Sequence, residues 1–165
     1  MSDQPTDVLP AEASARLAAW RARGESIVFT NGVYDLLHRG HTEYLEDARA
    51  LGDRLVVGIN SDASVQRLKG PSRPIVGEGD RRALIAALAC VDLVIAFEDD
   101  TPLRLIEAVE PDVLAKGADY SIEQIVGRDQ VESRGGRVVR IPLREGLSSS
   151  LLIDRIRAGK SALDR

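Results

Sequence analysis

Cysteine and histidine are scarce in this chain, with one cysteine and two histidines in 165 residues. A lone cysteine excludes a disulfide framework within the chain. Cys90 lies in the apolar run Leu84-Ile85-Ala86-Ala87-Leu88-Ala89-Cys90-Val91, which reads as helix carrying a structural thiol. No apolar stretch approaches the roughly 20 residues of a membrane span, so no membrane partner is expected. An excess of positive charge is lacking too. Lys and Arg number 22 against 26 Asp and Glu, for a net charge of −4 and a pI near 5.3, which points away from nucleic acid. The opening Met1-Ser2-Asp3-Gln4-Pro5-Thr6-Asp7 is polar and acidic, unlike a secretory leader, and the expected location is the cytoplasm. Neither a Gly-x-x-x-x-Gly-Lys-Ser/Thr phosphate loop nor a Gly-x-Gly-x-x-Gly fingerprint occurs. Internal repeats, low-complexity tracts and interdomain linkers are missing as well.

What remains is the pattern of one ordinary enzyme domain. Residues 1–10 read as a flexible tail and 11–160 as a single domain, large enough to bury a core. Strands are expected at 26–30, 54–60, 92–96, 113–116 and 137–141. Helices are expected at 11–23, 42–51, 62–68, 78–90, 102–109 and 121–134, with a last one opening at Ser148. Alternation at this spacing predicts an α/β fold, a Rossmann-like doubly wound domain around a five-stranded parallel sheet. Such sheets bind ligands at the carboxyl ends of their strands, where strand order reverses. The loops with unusual chemistry all follow strand ends: 31–41, 60–62, 97–101, 116–120 and 142–150.

Both histidines fall in one of these loops. The segment Phe29-Thr30-Asn31-Gly32-Val33-Tyr34-Asp35-Leu36-Leu37-His38-Arg39-Gly40-His41 runs from a strand into a helix. A helix opening there aims unpaired N–H groups and a partial positive charge at one point, with Gly40 leaving the backbone accessible. His38 and His41 thus flank an anion site, and a phosphate is the anion to expect. Two plainer readings compete: a pair of helix-capping histidines, or a zinc site, for which no third Cys or His exists although Asp35 could contribute. Lys69 and Arg73, in Lys69-Gly70-Pro71-Ser72-Arg73-Pro74, form a basic loop able to neutralise charge on reacting phosphates, or else a solvated loop. Gly117, after Lys116, would let a nucleotide approach the backbone, with Tyr120 near the base or bracing the loop. Ser148, Ser149 and Ser150 follow Gly146 at another strand-to-helix turn. Capping explains one serine, and phosphate binding would explain all three.

His38-Arg39-Gly40-His41 after a strand ending Thr-Asn-Gly resembles the HxGH element of the nucleotidylyltransferase superfamily. The likeness extends through Asn60-Ser61-Asp62, Arg67-Leu68-Lys69-Gly70-Pro71-Ser72-Arg73-Pro74, Phe97-Glu98-Asp99-Asp100-Thr101-Pro102 and Lys116-Gly117-Ala118-Asp119-Tyr120. Over about four fifths of its length the chain is similar to the D-glycero-D-manno-heptose 1-phosphate adenylyltransferases, which occur alone or as half of a bifunctional kinase/adenylyltransferase. The resemblance implies a stand-alone transferase served by a separate kinase, making ADP-heptose and pyrophosphate from ATP and heptose 1-phosphate, with Mg²⁺ bridging phosphates. It implies that His38, His41 and Lys69 act in catalysis. Phe29, Thr30, Asn31 and Gly32 would line the nucleotide, as would Lys116, Gly117 and Asp119, with Ser148, Ser149 and Ser150 near its terminal phosphates. Asp35, Lys69 and Arg73 would meet the acceptor. Arg81 matches an arginine that related cytidylyltransferases place near phosphates, although adjacent Arg82 leaves that match open. No resident metal ligands are implied. Relatives are commonly dimeric, so a homodimer is expected, and the apolar helix at 83–91 fits a core or an interface equally. CTP with glycerol 3-phosphate, ATP with phosphopantetheine, and a non-catalytic nucleotide-binding module remain alternatives.

Overall fold

Apolar strand runs, each followed by a segment of helical period, can bury both kinds of surface by placing one sheet between two helical layers. The computed structural model describes residues 8–161 and has that arrangement. Five strands, β1 (Ile27–Gly32), β2 (Arg54–Asn60), β3 (Leu93–Phe97), β4 (Val113–Gly117) and β5 (Arg137–Ile141), lie parallel in the order β3-β2-β1-β4-β5. Successive residues of β1 show why it sits at the centre. Phe29 packs into a core on one face with Leu17 and Trp20 of α1 (Ala11–Ala22), while Val28 packs on the other with Leu45 of α2 (Arg39–Arg49). Burial on both faces is what a continuous apolar strand requires.

The remaining helices are α3 (Asp62–Lys69), α4 (Glu78–Ala86), α5 (Leu103–Val109), α6 (Arg128–Ser133) and α7 (Ser149–Arg157). Two of them correct the sequence expectation. The helix expected over 121–134 is interrupted, with a 3-10 turn at Ile122–Gln124 and α6 separated by Gly127. Gly127 is left-handed at φ 87°, and a Cβ there would lie 2.6 Å from Ile106 Cδ1, so the chain must break helix where it presses against α5. The helix expected to reach residue 90 ends at Ala86, leaving Cys90 half-buried in the turn that follows. Of the expected tail, residues 1–7 lie outside the described residues, and Val8 and Leu9 pack against the core.

The two ends of the sheet are built differently. At the amino ends, Asp53 accepts the Ser26 N–H at 2.8 Å, Asp112 accepts the Ile27 N–H at 2.7 Å, and Asp92 accepts the Leu55 N–H at 2.8 Å. Arg54 bridges Glu25 at 2.7 Å and Asp92 at 3.0 Å, and hydrogen bonds from Arg54 and Arg23 hold the Glu25 carboxyl down at about 2. At the carboxyl ends the strands diverge. β1 and β2 pair through six residues, from Ile27–Arg54 to Gly32–Ile59, whereas β1 and β4 pair only through Val28–Val113 and Phe29–Leu114. That seam is where strand order reverses, and a cleft opens above it.

Candidate active site

The cleft encloses about 600 Å³, within the range of small-molecule sites, and is lined from every strand end. Asn31 and Gly32 form its floor at the end of β1. Tyr34 follows in the left-handed region at φ 51°, a costly conformation for an aromatic residue. Its ring lies over Gly32, where a Cβ would be 3.0 Å away, and meets the His41 ring edge-on at 5.2 Å. Glycine at 32 therefore admits the tyrosine. Beneath the floor the Tyr44 hydroxyl bonds Thr30 Oγ1 at 2.8 Å, and burial pushes that phenol up to about 12.

His38 occupies the N-cap position of α2 in an extended conformation but makes no side-chain capping bond, and His41 lies in the helix's first turn. Their rings stack at 3.8 Å with 21° between planes, and both Nδ1 atoms are buried with no hydrogen-bond partner among the described residues. Burial lowers the basicity of both. It takes His41 to about 4, aided by repulsion from His38, so both rings are neutral near pH 7. A Cβ at Gly40 would sit 3.1 Å from the His38 ring. The glycine of the motif thus makes room for its own histidine, rather than for a ligand alone. The N–H groups of Arg39 and Gly40 have no partner among the described residues, which leaves a helix N-terminus open to the cleft.

A second N-terminus lies across the cleft. Ser148 caps α7 by accepting the Leu151 N–H at 3.1 Å, Ser149 donates to the Leu36 carbonyl at 3.2 Å, and Ser150 is exposed with its hydroxyl uncommitted. The three serines thus divide their work: one caps, one ties α7 to the histidine loop, and one remains free. Four cations line the same space. Lys69 ends α3 and is exposed. Lys116 donates to Asn31 Oδ1 across the β1–β4 seam, and its burial lowers the ammonium to about 8. Arg73 and Arg144 complete the set. Gly117 again serves a side chain, since a Cβ there would be 2.5 Å from Asp119 Oδ1.

Several expected site residues do other work. Arg81 is fully buried and makes four hydrogen bonds. It donates to the carbonyls of Val76, Val33 and Asn60 at 2.7–2.9 Å and to Asp62 at 2.7 Å, pinning loops behind the cleft without lining it. Arg82 is exposed and does not line the cleft either. Phe29 and Thr30 are buried below the floor, Phe29 in the core and Thr30 on Tyr44. Asp35 lines the cleft, but its oxygens are committed to Arg73 Nε at 2.6 Å and to the N–H groups of Ile75 and Val76 at 2.8 Å, which depress its pKa despite burial. It holds the basic loop in place. Sequence reasoning passed over Tyr34, Tyr44 and Arg144. Arg144 bonds Glu43 at 2.8 and 2.9 Å, and its place two residues before Gly146 of the serine turn was the available signal.

The described residues bring together no group of three or more His, Cys, Asp or Glu side chains suited to a metal ion. With Asp35 engaged by three donors, the donor set does not build a resident metal cage. No helix among the described residues is long and apolar enough to cross a membrane.

The cytidylyltransferase-like family profile matches residues 29–155. The bifunctional protein HldE of Magnetococcus marinus is 57% identical over 150 residues, covering 91% of this chain and 31% of that protein. HldE of Mesorhizobium japonicum is 53% identical over 156 residues, covering 94% of this chain and 32% of its own length. The chain thus spans about a third of the length of the curated relatives it matches. Among solved structures, a lipopolysaccharide core biosynthesis protein from Thermoplasma volcanium superposes with a TM-score of 0.61 at 32% identity, covering 73% of this chain and 98% of that one.

Proposed function

Since the chain belongs to the cytidylyltransferase-like family, we propose that it is a nucleotidyltransferase that moves AMP from ATP to D-glycero-D-manno-heptose 1-phosphate, releasing pyrophosphate. The observation that carries this reading is the meeting of two neutral, stacked histidines at one helix N-terminus with Lys69 and the serine turn of a second N-terminus in one cleft. Two positive helix ends suit a polyphosphate. A phosphate oxygen of the sugar phosphate attacks the α-phosphorus of ATP. The new P–O bond forms as the bond from that phosphorus to the β-bridging oxygen breaks, and pyrophosphate leaves opposite. The nucleophile is already anionic, so the protein contributes alignment and charge stabilisation, with no covalent intermediate. His38 and His41 meet the oxygens on which charge develops, and Lys69 follows the departing charge. Mg²⁺ enters with the ATP phosphates as part of the substrate.

Identity of more than half to the HldE proteins over most of this chain supports the sugar-phosphate acceptor. We place the reaction in the cytoplasm, where ATP is available. We further propose a homodimer through α4, whose outer face exposes Ala83, Leu84 and Ala86; a sedimentation mass equal to that of a single chain would remove that part. Pyrophosphate release measured for ATP, CTP and GTP, each with heptose 1-phosphate and glycerol 3-phosphate, tests the reaction. Turnover is expected for ATP with heptose 1-phosphate, and a preference for CTP or for the three-carbon acceptor replaces the assignment.

A further inference from the structure

The segment Phe97-Glu98-Asp99-Asp100-Thr101-Pro102 stands out in the sequence, yet the chemistry above leaves it without a role. In the structure Asp100, Thr101 and Pro102 line the cleft together with Asn60 and Leu68. All of these belong to the β2 and β3 side of the sheet. Because β1 is central in the order β3-β2-β1-β4-β5, the histidines that follow it stand between two arms. One arm lies over β4 and β5, with Lys116, Tyr120 and the serine turn. The other lies over β2 and β3, and its polar groups are held ready.

Helix α3 fixes this second arm. Arg67 Nε donates to Asp100 Oδ1 at 2.7 Å and its NH2 group to the Glu98 carbonyl, while Ser64 Oγ donates to the Asp99 carbonyl at 3.2 Å. Asn60 is buried and donates Nδ2 to that same Ser64 at 3.1 Å, while its amide oxygen has no partner among the described residues. The Thr101 hydroxyl is exposed and uncommitted. Leu68, which lines the same cleft, is 52% exposed and offers an apolar surface. Hydrogen-bond acceptors along one wall and an apolar platform on another match a sugar, with hydroxyls on its edge and C–H groups on its face. A cationic acceptor would want an unpaired carboxylate, whereas Asp100 already has a guanidinium partner. A hydroxyl needs only the lone pairs that remain.

Resting on the transferase reading above, we propose that Asp100 and Thr101, positioned by Arg67 and Ser64, are specificity residues that read hydroxyl groups of the sugar-phosphate acceptor, with Leu68 beneath the ring. Lys69, the next residue of α3, then stands between this arm and the reacting phosphates.

Steady-state kinetics on the purified full chain test this, varying heptose 1-phosphate and ATP separately. For Asp100→Ala the acceptor KM is expected to rise about 10- to 100-fold, the scale of losing a charge-assisted hydrogen bond, with the ATP KM unchanged. Asp100→Asn, which keeps an acceptor oxygen, restores most of that loss. Thr101→Val, at an exposed site that does not threaten folding, raises the acceptor KM about 5-fold, and Thr101→Ser reverses it. An unchanged acceptor KM in both Asp100→Ala and Thr101→Val overturns the assignment of this arm and leaves the transferase reading intact. A wild-type protein that releases pyrophosphate with no sugar phosphate overturns the reading itself, and this inference with it.

Discussion

The amino and carboxyl ends of this sheet use similar residues to opposite ends. Below, Asp53, Asp92 and Asp112 each accept a strand or loop N–H, and Arg54 knits Glu25 to Asp92. Above, two imidazole nitrogens are buried without partners among the described residues, the N-terminus of α2 stays open beside that of α7, which Ser148 caps, and four cations line the cavity. Satisfied polar groups stabilise a fold, and unsatisfied ones carry a standing cost that a ligand can relieve. The contrast identifies the upper end as the working one.

This contrast can be broken at either end. The largest effect is expected above. His41→Ala should lower kcat by about 10²–10³, the scale of removing one transition-state donor, while thermal unfolding moves little or rises. Full turnover in that variant would take His41 out of the chemistry. Next comes Arg81→Met, which leaves three carbonyls without their shared donor. A loss of about 3 kcal/mol in urea unfolding is expected, and an unaltered midpoint would contradict its role as a buried strut. Asp112→Ala, at the lower end, strands the Ile27 N–H and should cost about 1–2 kcal/mol while leaving the KM for ATP alone; a changed KM would mean that the two ends are coupled.

The smallest effect is one of pH. An imidazole kept neutral by burial takes up its proton at lower pH in the folded chain than in the unfolded one. Between 6.5 and about 4 the unfolded chain therefore binds more protons than the folded one through His41, and stability falls as pH is lowered through that window. The depressed carboxylates Asp35, Glu43 and Asp53 add their losses only at the acid end. Urea midpoints measured from pH 7 to pH 5 should thus decline in the wild type, and less in His38→Asn/His41→Asn. Equal slopes in the two proteins would mean that the rings titrate normally.

Much of this was legible in the sequence, because period and spacing encode it. The five strands, their parallel order of use and the joint presence of the histidines, Lys69 and the serine turn in one cleft follow from alternation and from loops at strand ends. Side-chain direction was not legible. Arg81 sits on the first turns of α4, and nothing in its neighbours says that it points inward to three carbonyls. Asp35 lies within the motif segment, yet its partners Arg73, Ile75 and Val76 are about forty residues away, at separations of 38 to 41. The sequence reads Gly40 and Gly117 as openings for a ligand, and the structure shows that they also clear space for His38 and Asp119, as Gly32 does for Tyr34. The break at Gly127 depended on Ile106, a contact between elements that no local pattern contains.

Only two residue pairs join β1 to β4, and beyond them the strands part. The ground on which a bound molecule would rest begins where that pairing stops, with the Lys116–Asn31 hydrogen bond spanning the gap. Substitution can redraw the rims on either side, one over β2 and β3 and the other over β4 and β5, while that ground stays as it is. A lineage built on this seam can exchange one partner for another without relearning how to fold.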